Sequence, residues 1–129
     1  YSDLIRCIES DVICDFIGCS SYGDSMSSSG QVKLTLDLSN NIEGRHVLLI
    51  EDIVDTGLTI NYLQKILESR KPKSVTTVSL LYKPDAKKVD FKLDVFGFKI
   101  PNDFVVGYGL DYQGMYRNLP YVAQVQNMN

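Results

Sequence analysis

Residues 47–50 form an unbroken apolar run, Val47-Leu48-Leu49-Ile50, that stops at two adjacent carboxylates, Glu51 and Asp52. A continuous run of this kind predicts a buried parallel strand, here over 46–50. Further on, Ile60, Leu63, Ile66 and Leu67 fall on one face of a helix over 59–70, which Pro72 closes. Residues 75–82 are β-branched and apolar and predict a second strand, stopped by Lys83-Pro84. Strand, helix and strand in this order demand a right-handed parallel crossover, so an α/β sheet lies at the centre. Leu4, Ile5 and Ile8 predict a short helix over 3–8. Residues 12–19 and the alternating 32–36 predict strands, as do the shorter stretches 94–100, 104–107 and 122–125. Residues 40–44, Asn-Asn-Ile-Glu-Gly, are turn chemistry, and no internal repeat is present.

The pattern is interrupted once, by the polar tract 20–30, rich in serine and glycine. A tract this long is either a functional lid or a linker. Neither side is long enough to be a separate domain, so it is read as a mobile loop between two strands. The whole chain of 129 residues is one domain, 1–129, with one core. Hydrophobic content is 44% and charged content 22%, ordinary for a globular protein. No apolar run approaches the ~20 residues that cross a bilayer, so no membrane segment is expected. A basic leader followed by an apolar stretch is missing too, and the chain starts at Tyr1. A net charge of -3 and a pI near 5.0 argue against a nucleic-acid groove. Cys7, Cys14 and Cys19 lack CxxC spacing. They fit small core hydrophobes in a reduced, cytoplasmic compartment.

The chemistry concentrates at 51–59. The predicted strand delivers Glu51 and Asp52 to its carboxyl end, where ligands bind in open α/β sheets. Neighbours on a strand face opposite sides, so the two acids do different jobs. Asp55-Thr56-Gly57-Leu58-Thr59 then opens the helix. Free amides and a positive dipole end suit a phosphate there, with hydroxyls from Thr56 and Thr59 and a permissive backbone at Gly57. The GxxxxGK[ST] and GxGxxG fingerprints are both missing: Gly107-Tyr108-Gly109 continues into Leu-Asp-Tyr. Taken alone, Asp55 is a helix-cap acid and the acid pair a solvated strand end. Their joint occurrence with Thr56, Gly57 and Thr59 points instead to a ligand carrying a phosphate together with a diol or a metal.

The segment 47–59 resembles the signature of the type I phosphoribosyltransferases, which bind phosphoribosyl pyrophosphate. Within that family the chain resembles the hypoxanthine-guanine phosphoribosyltransferases. Four further stretches carry this: Ser20-Ser21-Tyr22-Gly23; Leu80-Leu81-Tyr82-Lys83; 95–109, with Gly97-Phe98-Lys99-Ile100-Pro101 and Phe104-Val105-Val106-Gly107-Tyr108-Gly109; and Leu110-Asp111-Tyr112 through Tyr116-Arg117-Asn118-Leu119-Pro120. The resemblance implies the type I phosphoribosyltransferase fold: α/β, with a central, mostly parallel sheet flanked by helices, a flexible loop and a small C-terminal hood. It implies a purine-salvage enzyme that moves phosphoribose to N9 of hypoxanthine or guanine, forming IMP or GMP and releasing pyrophosphate; xanthine is left open. Glu51 and Asp52 would bind the ribose hydroxyls and a Mg²⁺ ion. Asp55, Thr56, Gly57, Leu58 and Thr59 would hold the 5′-phosphate, with Asp55 also facing N7 of the purine as catalytic base or charge stabiliser. Lys83 would donate to the 6-oxo group, Phe104 would stack on the base, and Val105 and Asp111 would meet its 2-position edge. Asp111 would hold a second Mg²⁺ ion and Arg117 would pair with pyrophosphate. Ser21 and Tyr22 match the family's flexible loop. Partners would be phosphoribosyl pyrophosphate and a 6-oxopurine base, in a cytoplasmic homodimer or homotetramer.

Spacing alone gives blander readings. Lys83 before a proline reads as exposed, Phe104 as core, and Asp111 and Arg117 as surface charges. Tyr108, Tyr112 and Tyr116 recur at helical spacing and read as packing or interface residues. His46 opens a strand without chemistry. The family's earlier strand and Leu-Lys-Gly pyrophosphate loop have no counterpart in this sequence, so the expectation is an N-terminally incomplete enzyme. The alternatives are a nucleotide-sensing regulator on the same fold, which an acidic surface disfavours if it binds RNA, or an inactive fragment.

Overall fold

The structure, a computed structural model, describes residues 1–21 and 32–126. Tyr22 and the loop expected around it lie outside the described residues, and the side chain of Ser21 does as well. A three-stranded parallel sheet sits at the centre, in the order β3 (His46–Val54), β4 (Ser74–Tyr82), β5 (Val95–Lys99). β3 meets β4 from His46 opposite Ser74 to Val54 opposite Tyr82, and β4 meets β5 from Val78 opposite Val95. The helix α2 (Leu58–Ser69) makes the crossover between β3 and β4. Its buried stripe, Ile60, Leu63, Gln64 and Leu67, follows the helical period and packs with Leu49 and Val54 of β3 as the core. Helix α2 ends at Arg70, whose amide reaches Leu67, and Lys71 turns left-handed before Pro72.

One buried polar network lies in this core. The Gln64 amide donates to Thr77 Oγ1 at 2.7 Å and to the Lys92 carbonyl, and its carbonyl accepts from the Lys92 amide at 3.2 Å. The Asp94 carboxylate then takes the Thr77 amide at 2.8 Å, and this leads the chain into β5. The network ties the 83–94 connection to both α2 and β4.

Around the centre, β1 (Gly18–Ser21) and β2 (Val32–Leu36) pair antiparallel, and a short helix α1 (Ser2–Ile5) opens the chain. Two expectations are corrected here. The strand expected over 12–19 is regular only from Gly18, because the Asp15 carboxylate organises the stretch before it. It accepts the amides of Phe16, Ser39 and Asn40 and the Asn40 side chain at 2.8–3.0 Å. These bonds, the Asn40 side chain first, hold the Asp15 carboxyl down at about 2. Cys7 and Cys14 are exposed, and only Cys19 of the three is half-buried.

The C-terminal part pairs β6 (Val105–Val106) with β7 (Ala123–Gln124) and carries two tight turns, Gly107 to Leu110 and Tyr112 to Met115. The central pairs Tyr108-Gly109 and Gln113-Gly114 all have positive φ, the geometry of type I′ turns. The four-residue recurrence of tyrosines therefore reflects successive hairpins, not a helix. Gly107 is required by packing: a Cβ there would lie 2.1 Å from the Tyr121 carbonyl oxygen.

Candidate active site

β3 runs on through the acids to Val54, beyond the expected end at Ile50. Alternation continues across Glu51 and Asp52, so Glu51 is half-buried and Asp52 exposed. Glu51 lines a groove of about 510 Å³ with Phe16, Ile17 and Leu49, the one residue of the expected site that does so. Burial, and then the neighbouring Asp52 charge, push its carboxyl up to about 7. Burial and the nearby Glu51 also raise the Cys19 thiol.

Residues 55–57 form the turn that enters α2. The exposed Asp55 accepts the Thr56 amide and, at 3.2 Å, the Thr56 hydroxyl. Gly57 has φ +84 and caps the helix without a side chain. The Thr56 carbonyl, just before the cap, accepts from Lys88 and Val89 at 2.9 and 3.3 Å, while the Gly57 carbonyl takes the first intrahelical bond, from Asn61. Among the described residues no acceptor takes the amides of Gly57, Thr59 or Ile60. Those donors and the helix dipole make a cradle for an anion.

Lys83 is tied to the same edge. Its amide donates to the Val54 carbonyl at 2.9 Å. It is only 9% exposed, so the exposed reading from its place before Pro84 is corrected. Among the described residues no carboxylate lies within 4.0 Å of its ammonium. The Ile100 amide donates to the Tyr82 carbonyl at 2.9 Å, so the chain leaves β5 beside Lys83 and runs on to Phe104. Phe104 is 38% exposed, not core, and meets Tyr112 edge-on at 5.7 Å. The Val105 backbone pairs with Gln124. Asp111 and Arg117 meet each other at 2.8 Å. Asp111 also accepts the Gly114 amide at 2.7 Å, and Arg117 donates to the Gly109 carbonyl at 2.6 Å. His46, at the start of β3, meets Ser74 Oγ at 2.7 Å, at the opposite end of the strand from the acids.

Two contacts were not foreseen from the sequence. The Tyr108 phenol donates to the Asp3 carboxylate, which ties α1 to the C-terminal hairpins and raises the phenol while lowering Asp3. The Phe91 ring packs on Gly57: a Cβ at Gly57 would lie 2.2 Å from it. Phe91 stands in a charged loop, 87–92, with no periodicity to mark it.

For a divalent metal, Glu51 and Asp52 are the relevant donors. Neither makes an ion pair among the described residues, and the half-buried Glu51 resists ionisation beside Asp52. A cation would relieve both conditions. Among the described residues no group of three or more His, Cys, Asp or Glu converges. Mg²⁺ characteristically takes one or two carboxylates plus substrate oxygens, so an acid pair without a closed cage fits it.

The unpaired acids, the amide cradle and the buried lysine lie along one strand edge, and comparison with known proteins gives the family. The family model for the phosphoribosyl transferase domain matches residues 2–113, and the chain belongs to that family. Within it, the similarity is to proteins named hypoxanthine-guanine or hypoxanthine phosphoribosyltransferase. The chain is 52% identical over 122 residues to the hypoxanthine-guanine phosphoribosyltransferase of Bacillus subtilis, covering 95% of this chain and 68% of that one. It is 50% identical to the enzyme of the same name from Mycobacterium tuberculosis, of which it covers 60%. The crystal structure of a Staphylococcus aureus hypoxanthine phosphoribosyltransferase superposes with a TM-score of 0.91 at 46% identity, covering 97% of this chain and 68% of that one. The fold is thus the type I phosphoribosyltransferase fold. The chain spans between three-fifths and about two-thirds of these relatives.

Proposed function

We propose that this protein transfers phosphoribose from phosphoribosyl pyrophosphate to N9 of hypoxanthine or guanine and releases pyrophosphate. The observation that carries this reading is the bond from the Lys83 amide to the Val54 carbonyl. It fixes a lysine that can read a 6-oxo group beside the strand that carries Glu51, Asp52 and the anion cradle.

In the reaction, the bond from C1′ to the pyrophosphate oxygen breaks as N9–C1′ forms, and the purine imidazole gives up one proton. Asp55 takes that proton at N7, or holds the positive charge that develops there. Lys83 donates to the 6-oxo group. An adenine amino group would meet it donor to donor, an unmatched polar contact that rejects adenine. The exposed Phe104 ring offers a stacking face. Asp111 and the Val105 backbone meet the 2-position edge. Arg117, braced on Gly109, turns part of its pairing from Asp111 to pyrophosphate. The amides of Gly57, Thr59 and Ile60, with the Thr56 and Thr59 hydroxyls and the Asp55 and Leu58 backbone, enclose the 5′-phosphate. Mg²⁺ would be held by Glu51 and Asp52, with Asp111 for a second ion, and when bound neutralises charge on the leaving pyrophosphate.

We take 1–129 as one domain of a cytoplasmic homodimer or homotetramer. No described helix is long and apolar enough to cross a membrane. Three free cysteines fit a reducing compartment. The test is pyrophosphate release with hypoxanthine, guanine, xanthine and adenine. Release with hypoxanthine and guanine but not adenine is expected. Release with none of the four overturns the reading. Asp55→Asn should lower kcat on the order of 100-fold or more while leaving substrate KM nearly unchanged.

A further inference from the structure

We propose that Phe91 is a positioning residue that shapes the phosphate cradle and couples it to the base-reading Lys83; this rests on the phosphoribosyl reading of the site. The connection that starts at Lys83 folds back over the cradle and grips it at four places. The Lys83 amide holds the Val54 carbonyl, and the Lys88 and Val89 amides hold the Thr56 carbonyl. The Asn61 side chain of α2 donates to the Asp90 carbonyl at 2.6 Å. Between these bonds the Phe91 ring lies against Gly57, so close that a Cβ on Gly57 would stand 2.2 and 2.4 Å from its edge carbons.

The ring is itself held from behind. Tyr82, the residue before Lys83, meets it edge-on at 6.2 Å, and the Lys87 ammonium lies 5.3 Å from its centroid. The Lys88 and Val89 amides hold the Thr56 carbonyl, and so fix the turn from which the free amides of the first helical turn project. The ring then fixes Gly57 in its left-handed turn and so sets where its free amide points. Because the same connection is anchored at Lys83, movement of the lysine and movement of the cradle are mechanically joined. A ligand that reaches both ends is thereby gripped by one rigid piece, which is how positioning lowers a barrier.

The experiment uses the full chain and two probes, ribose 5-phosphate binding by calorimetry and steady-state turnover. Phe91→Ala should weaken ribose 5-phosphate and raise the KM for phosphoribosyl pyrophosphate about tenfold, with kcat changed much less. Phe91→Tyr, which keeps the ring, should restore both to near wild type, and Phe91→Leu, which keeps bulk without a flat face, should fall between. Circular dichroism identifies the folded variants, and if Phe91→Ala does not fold, the Leu and Tyr pair carries the test. Gly57→Ala should be less damaging in the Phe91→Ala background than alone, since the ring it collides with is gone. Loss of kcat or of active fraction at unchanged ribose 5-phosphate affinity would mean a structural role only and overturn the proposal. If the wild type binds ribose 5-phosphate and Phe91→Ala binds it equally, the positioning role alone fails. If the wild type does not bind it, the phosphate reading fails and takes this inference with it.

Discussion

Replacing Glu51 with Gln should make the protein more stable and less active, and the pH at which it does so is fixed by the structure. Burial first, and the Asp52 charge second, raise the Glu51 carboxyl from 4.5 to about 7. In the unfolded chain the group titrates near its ordinary value. Between about 4.5 and 7 the folded state therefore keeps a proton that the unfolded state has released, and stability falls as pH rises through that window. Below it neither state is charged and there is no penalty; above it the penalty is complete. At about 1.4 kcal/mol per pH unit, the full gap corresponds to roughly 3 kcal/mol. Glu51 is half-buried rather than sealed, so solvent screening reduces the effect to about 1–3 kcal/mol. Urea unfolding of both proteins from pH 5 to pH 8, without divalent cations, measures it. The Gln variant should gain about 1–3 kcal/mol over wild type at pH 8 and little at pH 5. An equal difference at both pH values would show that ionisation is not the cause. A Gln variant less stable at pH 8 would refute the burial argument outright.

Lys83→Met keeps the stem of a residue that is 9% exposed and removes only the charge. It should lower kcat/KM for hypoxanthine roughly 10- to 100-fold and narrow the discrimination against adenine; competitive turnover with the two bases checks it, and unchanged discrimination would count against the lysine. Gln64→Leu orphans the Thr77 hydroxyl and both backbone groups of Lys92, so it should cost about 1–3 kcal/mol in urea unfolding; a loss under about 0.5 kcal/mol would mean that the network has slack.

The central unit was legible because its information is local. Helix 59–70 and strand 75–82 were expected, and Leu58–Ser69 and Ser74–Tyr82 are found. Each carries one period, and each buries its apolar face against its neighbour in sequence. The acids were legible as chemistry but misplaced as an ending, because Ile53 and Val54 continue the pairing with β4 past them. Stretch 12–19 misled because apolar composition does not reveal that one carboxylate, Asp15, would organise its backbone. The turns between the tyrosines had a signal of their own: Gly109 and Gly114 stand where a type I′ turn takes glycine. Lys83 was read as exposed because hydropathy weighs the ammonium and ignores the stem that the sheet edge covers. Phe91 carried no signal, since its meaning comes from a glycine far back in the chain.

The charges of this molecule divide into two groups. Away from the edge that carries Glu51, Asp52 and Lys83, ions find each other: Arg70 with Asp37 at 2.7 Å, Lys92 with Asp94 at 3.0 Å, Lys87 with Asp90 at 2.9 Å. At that edge they do not. Among the described residues Glu51, Asp52 and Lys83 have no ionic partner, although β3 and the residue just past β4 bring opposite signs to one edge. Backbone geometry keeps them apart. The amide of Lys83, not its ammonium, engages β3, and Glu51 is half-buried while Asp52 is exposed. A lysine allowed to collapse onto an acid would stabilise the empty fold and close the site to ligand. That collapse has not occurred here: no carboxylate lies within 4.0 Å of the Lys83 ammonium among the described residues. Each unmet charge is then matched by one part of the proposed substrates: a cation and ribose hydroxyls for the acids, a phosphate for the cradle, a purine oxygen for the lysine.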